Sequence, residues 1–114
     1  MSNKHGSKWI RPEKRLAIYS RDGFACAYCA DEESLSLDHL HPRELGGSHD
    51  AENLITSCVT CNSARRDLPL QEWFAMLRDR GGDTRRLGKK IRALTSKPID
   101  IDEGKRLLAA RRGK

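Results

Sequence analysis

Four cysteines in two identical pairs carry the least ambiguous chemistry of the sequence. Each pair has the spacing Cys-x2-Cys, and the pairs are Cys26/Cys29 and Cys58/Cys61. Two such knuckles complete a closed tetrahedral site for one zinc ion. Because four thiolates leave no open position for a substrate, we expect this zinc to be structural. Disulfide pairing is the alternative, and it is less favoured because no apolar signal segment opens the sequence.

The segment between the knuckles is longer than a zinc ribbon requires, which predicts an inserted structural unit. Residues 36–40 alternate polar and apolar side chains and predict a half-buried strand, with neighbouring side chains on opposite faces. Glycines at 46–47 predict a turn, and residues 53–57 predict the returning strand of a hairpin. Residues 59–67 lack Gly and Pro and predict a short helix. The expected order is therefore strand, strand, helix.

The positions taken together resemble the HNH endonucleases, whose core is the ββα-metal (His-Me) finger. The resemblance covers approximately residues 15–68. Its fixed positions are Cys26-x2-Cys29, Leu37-Asp38-His39, Pro42, Gly46-Gly47, Asn53-Leu54 and Cys58-x2-Cys61-Asn62. The last signature position, often His in the family, is Asn62 here, so the sequence is similar to an H-N-N variant.

This resemblance implies a metal-dependent DNA endonuclease with His39 as general base. Hydrolysis requires a deprotonated water in line with the leaving O3′ and compensation of the charge that grows on the phosphate. The reference pKa of His, about 6.5, leaves much of it neutral at physiological pH and able to accept a proton. By the resemblance, Asp38 and Asn62 hold one Mg²⁺ or Mn²⁺ through oxygen atoms. The products would be 5′-phosphate and 3′-hydroxyl ends.

Three other residues lie near this site in the sequence, and none of them is expected to carry out the chemistry itself. By the same resemblance, Asn53 ties the loop between the strands and helps to orient His39, although Asn is also favoured in turns for local reasons. His41 shares a strand face with His39, and either contacts phosphate or is a supporting polar residue. His49, in the glycine-rich loop, is given no role.

Two arginines, Arg65 and Arg66, follow Asn62 at helical spacing. At least one guanidinium could therefore face the metal and bind a phosphate beside the scissile one. We favour Arg65, which lies three residues after Asn62. A solvated helix face is an equal alternative for the pair.

The composition fits a polyanionic partner. The chain has 114 residues, a formal net charge of +6 and a pI near 9.4. No apolar stretch is long enough to span a bilayer. We therefore expect a soluble cytoplasmic protein that binds DNA and no membrane.

The regions that flank the finger are predicted to be helical. An amphipathic helix should run from Pro12 through Tyr19, and another helix, with an aromatic stripe suited to a core, should cover residues 70–77. Base stacking is the less favoured use of these aromatics. From Asp83 onwards the sequence predicts a basic helical extension, interrupted near Pro98, that either follows a DNA backbone or presents solvated faces.

These features predict one α+β domain over residues 1–114, with a zinc-stapled ββα-metal finger and flanking helices. Its core would span residues 15–68 and its basic extension residues 69–114. A single active site favours nicking. Two alternatives remain for function, namely a non-catalytic zinc DNA-binding module and an accessory subunit beside a phage terminase or in a defence assembly.

Overall fold

A two-stranded antiparallel hairpin lies at the centre of the fold. The structure is a computed structural model that describes residues 10–112. In the hairpin, Leu35 pairs with Cys58 and His39 pairs with Leu54. A short helix follows the second strand directly, so the expected order of strand, strand and helix is confirmed.

Five helices and two strands make up the regular structure of residues 10–112. They are α1 (Pro12–Arg21), β1 (Leu35–His39), β2 (Leu54–Cys58), α2 (Val59–Arg65), α3 (Leu70–Asp79), α4 (Thr84–Thr95) and α5 (Ile101–Arg112). The loop between the strands contains two single 3-10 turns, Arg43–Leu45 and Ala51–Asn53. The predicted α+β class is therefore confirmed, and each strand differs from its predicted bounds by one residue.

The second strand is the most buried element. All five residues of β2 are buried, including Thr56 and Ser57. Helices α1, α2 and α4 all contact this strand, which explains why it is covered on both faces. The second strand is thus enclosed by helices, whereas Leu35, Ser36 and His39 of β1 are only partly buried.

A buried ion pair fixes the end of α1 to the hairpin. Arg21 Nε lies 2.7 Å from Asp22 Oδ1, and both side chains are at most 1% exposed. Arg21 also donates to the carbonyl oxygens of Ala51 and Leu54, while Asp22 Oδ2 accepts the backbone N–H of Thr56. Each buried charge is therefore paired and hydrogen-bonded, as burial of charge requires.

The last helix packs against the first. A Cβ atom at Gly104 of α5 would lie 2.0 Å from the carbonyl oxygen of Glu13, so the two backbones cross with no room for a side chain. Leu107 and Leu108 of α5 pack against the buried cluster that includes Ile18. The C-terminal part of the chain therefore contributes to the core. Within the described residues, no helix has the length and apolar character needed to cross a bilayer.

Candidate metal centre and active site

The four cysteine sulfurs converge on one point. Their Sγ atoms all lie within 4.8 Å of one another, and all four residues are free thiols. Cys29 Sγ and Cys58 Sγ are 3.7 Å apart. Tetrahedral zinc with Zn–S bonds of about 2.3 Å would separate its sulfurs by about 3.8 Å. The cluster therefore fits one zinc ion better than a pair of disulfides.

The backbone around the cysteines also suits a thiolate site. The N–H of Tyr28 donates to Cys26 Sγ, and the N–H of Cys61 donates to Cys58 Sγ, each at 3.4 Å. Such bonds stabilise thiolate charge and orient the ligands. Because the first knuckle follows α1 and the second spans the junction of β2 and α2, a zinc ion here would join three elements.

Asp38 lies near the end of β1, with its carboxylate buried. Its Oδ2 atom accepts hydrogen bonds from Tyr28 Oη at 2.6 Å and from Arg65 Nη1 at 2.5 Å. Within residues 10–112 its Oδ1 atom accepts none, so that oxygen is available to a metal. Burial raises the pKa of Asp38, and the Arg65 charge and the Tyr28 hydrogen bond oppose that rise.

Arg65 is fully buried on α2, with a side-chain exposure of 0%. Besides its bond to Asp38, it donates to the carbonyl oxygens of His39, Leu40 and Leu68 at 2.9, 2.7 and 3.1 Å. A guanidinium in this position is not placed to bind DNA phosphate, which departs from the expectation drawn from helical spacing alone. The structure instead favours a supporting role for Arg65, because its bonds hold the end of β1 and the carboxylate of Asp38.

Tyr28, which sequence reasoning did not single out, completes this network. Its ring meets the ring of Trp73 edge to face, with centroids 5.5 Å apart. Burial and the neighbouring Asp38 carboxylate raise the pKa of Tyr28 well above its usual value, so the phenol remains a hydrogen-bond donor. Trp73 is buried, as predicted for the core aromatic stripe.

Asn62 lies on α2 with its side chain directed at β1. Its Nδ2 atom donates to Ser36 Oγ at 2.9 Å and to the carbonyl oxygen of Leu37 at 3.1 Å. Both side-chain hydrogen bonds in the described part of the chain are made by this nitrogen, which leaves the amide oxygen for a metal. Asp38 and Asn62 thus each keep one uncommitted oxygen, the ligand type that Mg²⁺ and Mn²⁺ prefer.

His39 ends β1 and contacts a second histidine. Its Nε2 atom lies 2.9 Å from His49 Nδ1, within hydrogen-bond distance. Partial burial and the nearby charges of His49, Arg43 and Arg65 lower the pKa of His39 to about 4. The imidazole is therefore neutral at pH 7, as a general base must be.

Comparison with protein-family models bears on the same segment. Residues 26–67 match the model described as HNH endonuclease. This segment is an HNH endonuclease domain. The resemblance drawn from the sequence is therefore confirmed, and a nuclease-type function is supported in general terms. No curated protein matches the chain.

The loop of the HNH domain is closed by Asn53. Its Oδ1 atom accepts the N–H of His41 at 2.8 Å, and its Nδ2 atom donates to the carbonyl oxygens of His41 and Ser48 at 3.1 and 2.8 Å. A Cβ atom at Gly47 would lie 1.7 Å from the carbonyl oxygen of His41, so only glycine fits there. This folded loop brings His49 to His39, which no sequence spacing indicated.

Two predicted DNA contacts of the HNH domain lie on its surface. His41 is exposed, and its hydrogen bonds in the described residues are those of its backbone. Arg66 is exposed directly after α2, with a φ of 58° that turns the chain away from the helix axis. Both side chains are therefore accessible to a ligand, in contrast to Arg65.

Proposed function

We propose that the protein is a metal-dependent DNA endonuclease and that His39 is its general base. The observation that carries this proposal is the combination, within one family-matched finger, of a neutral His39 with uncommitted oxygens on Asp38 and Asn62. Residues 10–112 contain one such finger. One finger supplies one active site, so nicking of a single strand is the activity we expect.

In this proposal His39 accepts the proton of the attacking water. Its Nε2 atom is engaged with His49, so Nδ1 is the ring nitrogen assigned to the water. This assignment requires the tautomer in which Nε2 carries the hydrogen and donates it to His49. His49 then has the role of orienting His39, and Asn53 acts through the loop that positions His49.

Asp38 Oδ1 and Asn62 Oδ1 are the atoms that we propose for holding one Mg²⁺ or Mn²⁺. When bound, such an ion supplies positive charge to the phosphate and the leaving oxygen. Arg65 and Tyr28 support this role, because they both bind Asp38 Oδ2 and leave Oδ1 free for the cation. The zinc assigned to the four cysteines remains structural, because a closed thiolate site has no position for substrate.

Contacts to the DNA phosphates are proposed for the exposed side chains of Arg66 and His41. Arg66 replaces Arg65 as the favoured guanidinium because only the former is exposed. A histidine two residues beyond the general base can donate to a phosphate beside the scissile one. Both are binding residues in this proposal and neither takes part in proton transfer.

Conversion of supercoiled plasmid by the purified protein tests the proposed activity. Wild type should nick the plasmid with Mg²⁺ or Mn²⁺ and lose activity in EDTA. His39→Ala and Asn62→Ala should fail while keeping their zinc content and circular dichroism spectrum, and His41→Ala should lose only part of the activity. Cleavage by His39→Ala at the wild-type rate would overturn the assignment of the base.

A folded wild type that binds DNA but never cuts it would instead support a non-catalytic zinc DNA-binding module. Activity that emerges only with added assembly proteins would support an accessory role beside a phage terminase or in a defence system.

A further inference from the structure

Helix α4 has a charge pattern unlike that of the other helices. The helix, Thr84–Thr95, contains five basic residues and no acidic residue, and Lys97 follows just after its end; the five are Arg85, Arg86, Lys89, Lys90 and Arg92. All six of these residues are exposed, while Ile91 of the same helix is buried. The helix therefore divides into an apolar face toward the protein and a uniformly basic face toward solvent.

Most cations of this face make no contact with polar groups of the described residues. Within residues 10–112, the side chains of Arg85, Arg86, Lys89 and Arg92 make no ion pair or hydrogen bond, whereas Lys90 donates to the carbonyl oxygen of Ala27. Uncompensated like charges on one helix repel one another and destabilise it. A polyanion along this face would remove that repulsion.

Helix α5 is also basic but differs in both respects. Its first turn carries Asp102 and Glu103, and Arg106 pairs with Glu103 at 2.5 Å. Its other face is packed on α1. Helix α5 therefore contributes to the core with partly neutralised charge, which leaves α4 as the stronger candidate surface.

The position of α4 connects this surface to the proposed active site. The helix contacts β2 and the turn Ala51–Asn53, whose last residue closes the loop that holds His49. Arg85 and Arg92 are seven residues apart, about 10 Å along a helix axis. That length corresponds to about three phosphates of one strand of duplex DNA.

We infer that the basic face of α4 binds the sugar-phosphate backbone of duplex DNA and holds it against the nuclease finger. This inference rests on the proposed function for its choice of DNA. Backbone contacts of this kind add affinity without reading the bases. Binding through α4 should accordingly be independent of sequence and strongly dependent on salt.

Duplex binding is best measured in a His39→Ala background, which prevents cleavage. The test variant is Arg85→Gln/Lys89→Gln, and the matched control is Lys105→Gln/Arg111→Gln on α5, which removes the same formal charge from another helix. Fluorescence anisotropy with one labelled duplex, repeated over a series of salt concentrations, gives the slope of log K against log salt. Circular dichroism and zinc content verify the fold of each variant.

The slope for the α4 variant should become shallower by about 1 per removed contact, hence by about 2, and the control slope should stay near that of the parent. Equal loss in both variants, or an unchanged slope in the α4 variant, would overturn the inference. A change in the slope of the α4 variant that is seen with an RNA duplex of the same sequence, but not with the DNA duplex, would also overturn the inference.

The outcome of this test is separable from the proposed nuclease activity. If wild type never cleaves and the α4 slope still changes, the surface stands and only the catalytic proposal fails. If wild type cleaves and the α4 variant binds DNA as the control does, only the proposal that α4 binds DNA fails.

Discussion

The two carboxylate oxygens of Asp38 have different hydrogen-bond partners, and this difference is the most important feature of any single residue for the proposed site. Oδ2 is held by the partly buried Tyr28 and the fully buried Arg65, while Oδ1 accepts no hydrogen bond within residues 10–112. A carboxylate held on one oxygen loses less conformational entropy when the other binds a cation. The two hydrogen bonds to Oδ2 would therefore prepare Asp38 for the proposed role as a cation ligand, because they leave Oδ1 free.

Tyr28→Phe removes one of these two donors with little change in volume. We expect the affinity for Mn²⁺ to fall about tenfold, because loss of a supporting hydrogen bond commonly weakens a metal site by that amount. Isothermal titration of Mn²⁺ into the protein, together with the Mn²⁺ dependence of nicking, measures the effect.

Tyr19→Phe is the matched control for this variant, since Tyr19 donates its hydroxyl to the carbonyl oxygen of Leu35 and not to Asp38. It should lose about 1 kcal/mol of stability and leave Mn²⁺ affinity unchanged. Equal Mn²⁺ affinities in the two variants would show that Tyr28 does not position Asp38.

The pH dependence of nicking follows from the lowered pKa of His39. A general base acts in its neutral form, and a folded-state pKa of about 4 keeps His39 neutral well below the usual value of 6.5. The nicking rate should therefore not fall to half its value near pH 6.5 when the pH is lowered from 8 to 6. Initial rates at saturating Mg²⁺, with zinc content checked at each pH, provide the measurement. A titration near pH 6.5 would mean that His39 is solvated in the working enzyme.

At the scale of elements, the loop between the strands determines how the site is assembled. It returns on itself through Asn53 and Gly47, and so brings His49 from ten residues away to the end of β1. The cysteine cluster lies at the other end of the hairpin, at Cys58. The two strands therefore have a candidate zinc site at one end and the candidate catalytic histidine at the other.

Gly47→Ala should disrupt this loop. Its Cβ atom would lie 1.7 Å from the carbonyl oxygen of His41, so the loop must shift and the contact between His39 and His49 should be lost. We expect nicking to fall at least tenfold while zinc binding is kept. Gly88→Ala is the control, because its Cβ atom would make only ordinary contacts, at 3.8 Å to Phe74 and 3.9 Å to Arg92. Full activity in Gly47→Ala would show that the loop does not position the base.

In the whole molecule, helices that are far apart in the chain are in contact. Helix α5 lies against α1, and α1 is fixed to β2 through Arg21 and Asp22. The finger therefore depends for support on residues far from it along the chain. The cysteine cluster and the packing of α5 on α1 are two such long-range contacts, and both can be tested experimentally.

Gly104→Ala should loosen the packing of α5 on α1. The added methyl would lie 2.0 Å from the carbonyl oxygen of Glu13, and overpacking of this kind costs about 1–3 kcal/mol. We expect the melting temperature to fall by about 4–12 °C, with nicking at low temperature close to wild type because α5 is not part of the site. Calorimetry and plasmid nicking give the two values. An unchanged melting temperature would show that the helices can separate at little cost.

Zinc removal should affect the fold and not only the rate. The four thiolates join the first knuckle, β2 and α2, so a chelator should lower the melting temperature and abolish nicking. After chelation, Mg²⁺ alone should not restore activity, whereas Zn²⁺ followed by Mg²⁺ should. Recovery with Mg²⁺ alone would mean that the cysteines do not hold a structural ion.

Sequence patterns alone predicted the cysteine knuckles, the order of strand, strand and helix, and the family of residues 26–67. These features follow from short spacings and local backbone preferences, which are properties of neighbouring residues. Three contacts became apparent only in the folded chain: Arg65 is buried on Asp38, His49 contacts His39, and α5 packs on the core. Each of those contacts joins residues that are distant in the chain, or it depends on which side of a helix a residue faces. Helical spacing cannot specify which face of a helix is covered, because burial depends on the elements that pack around it.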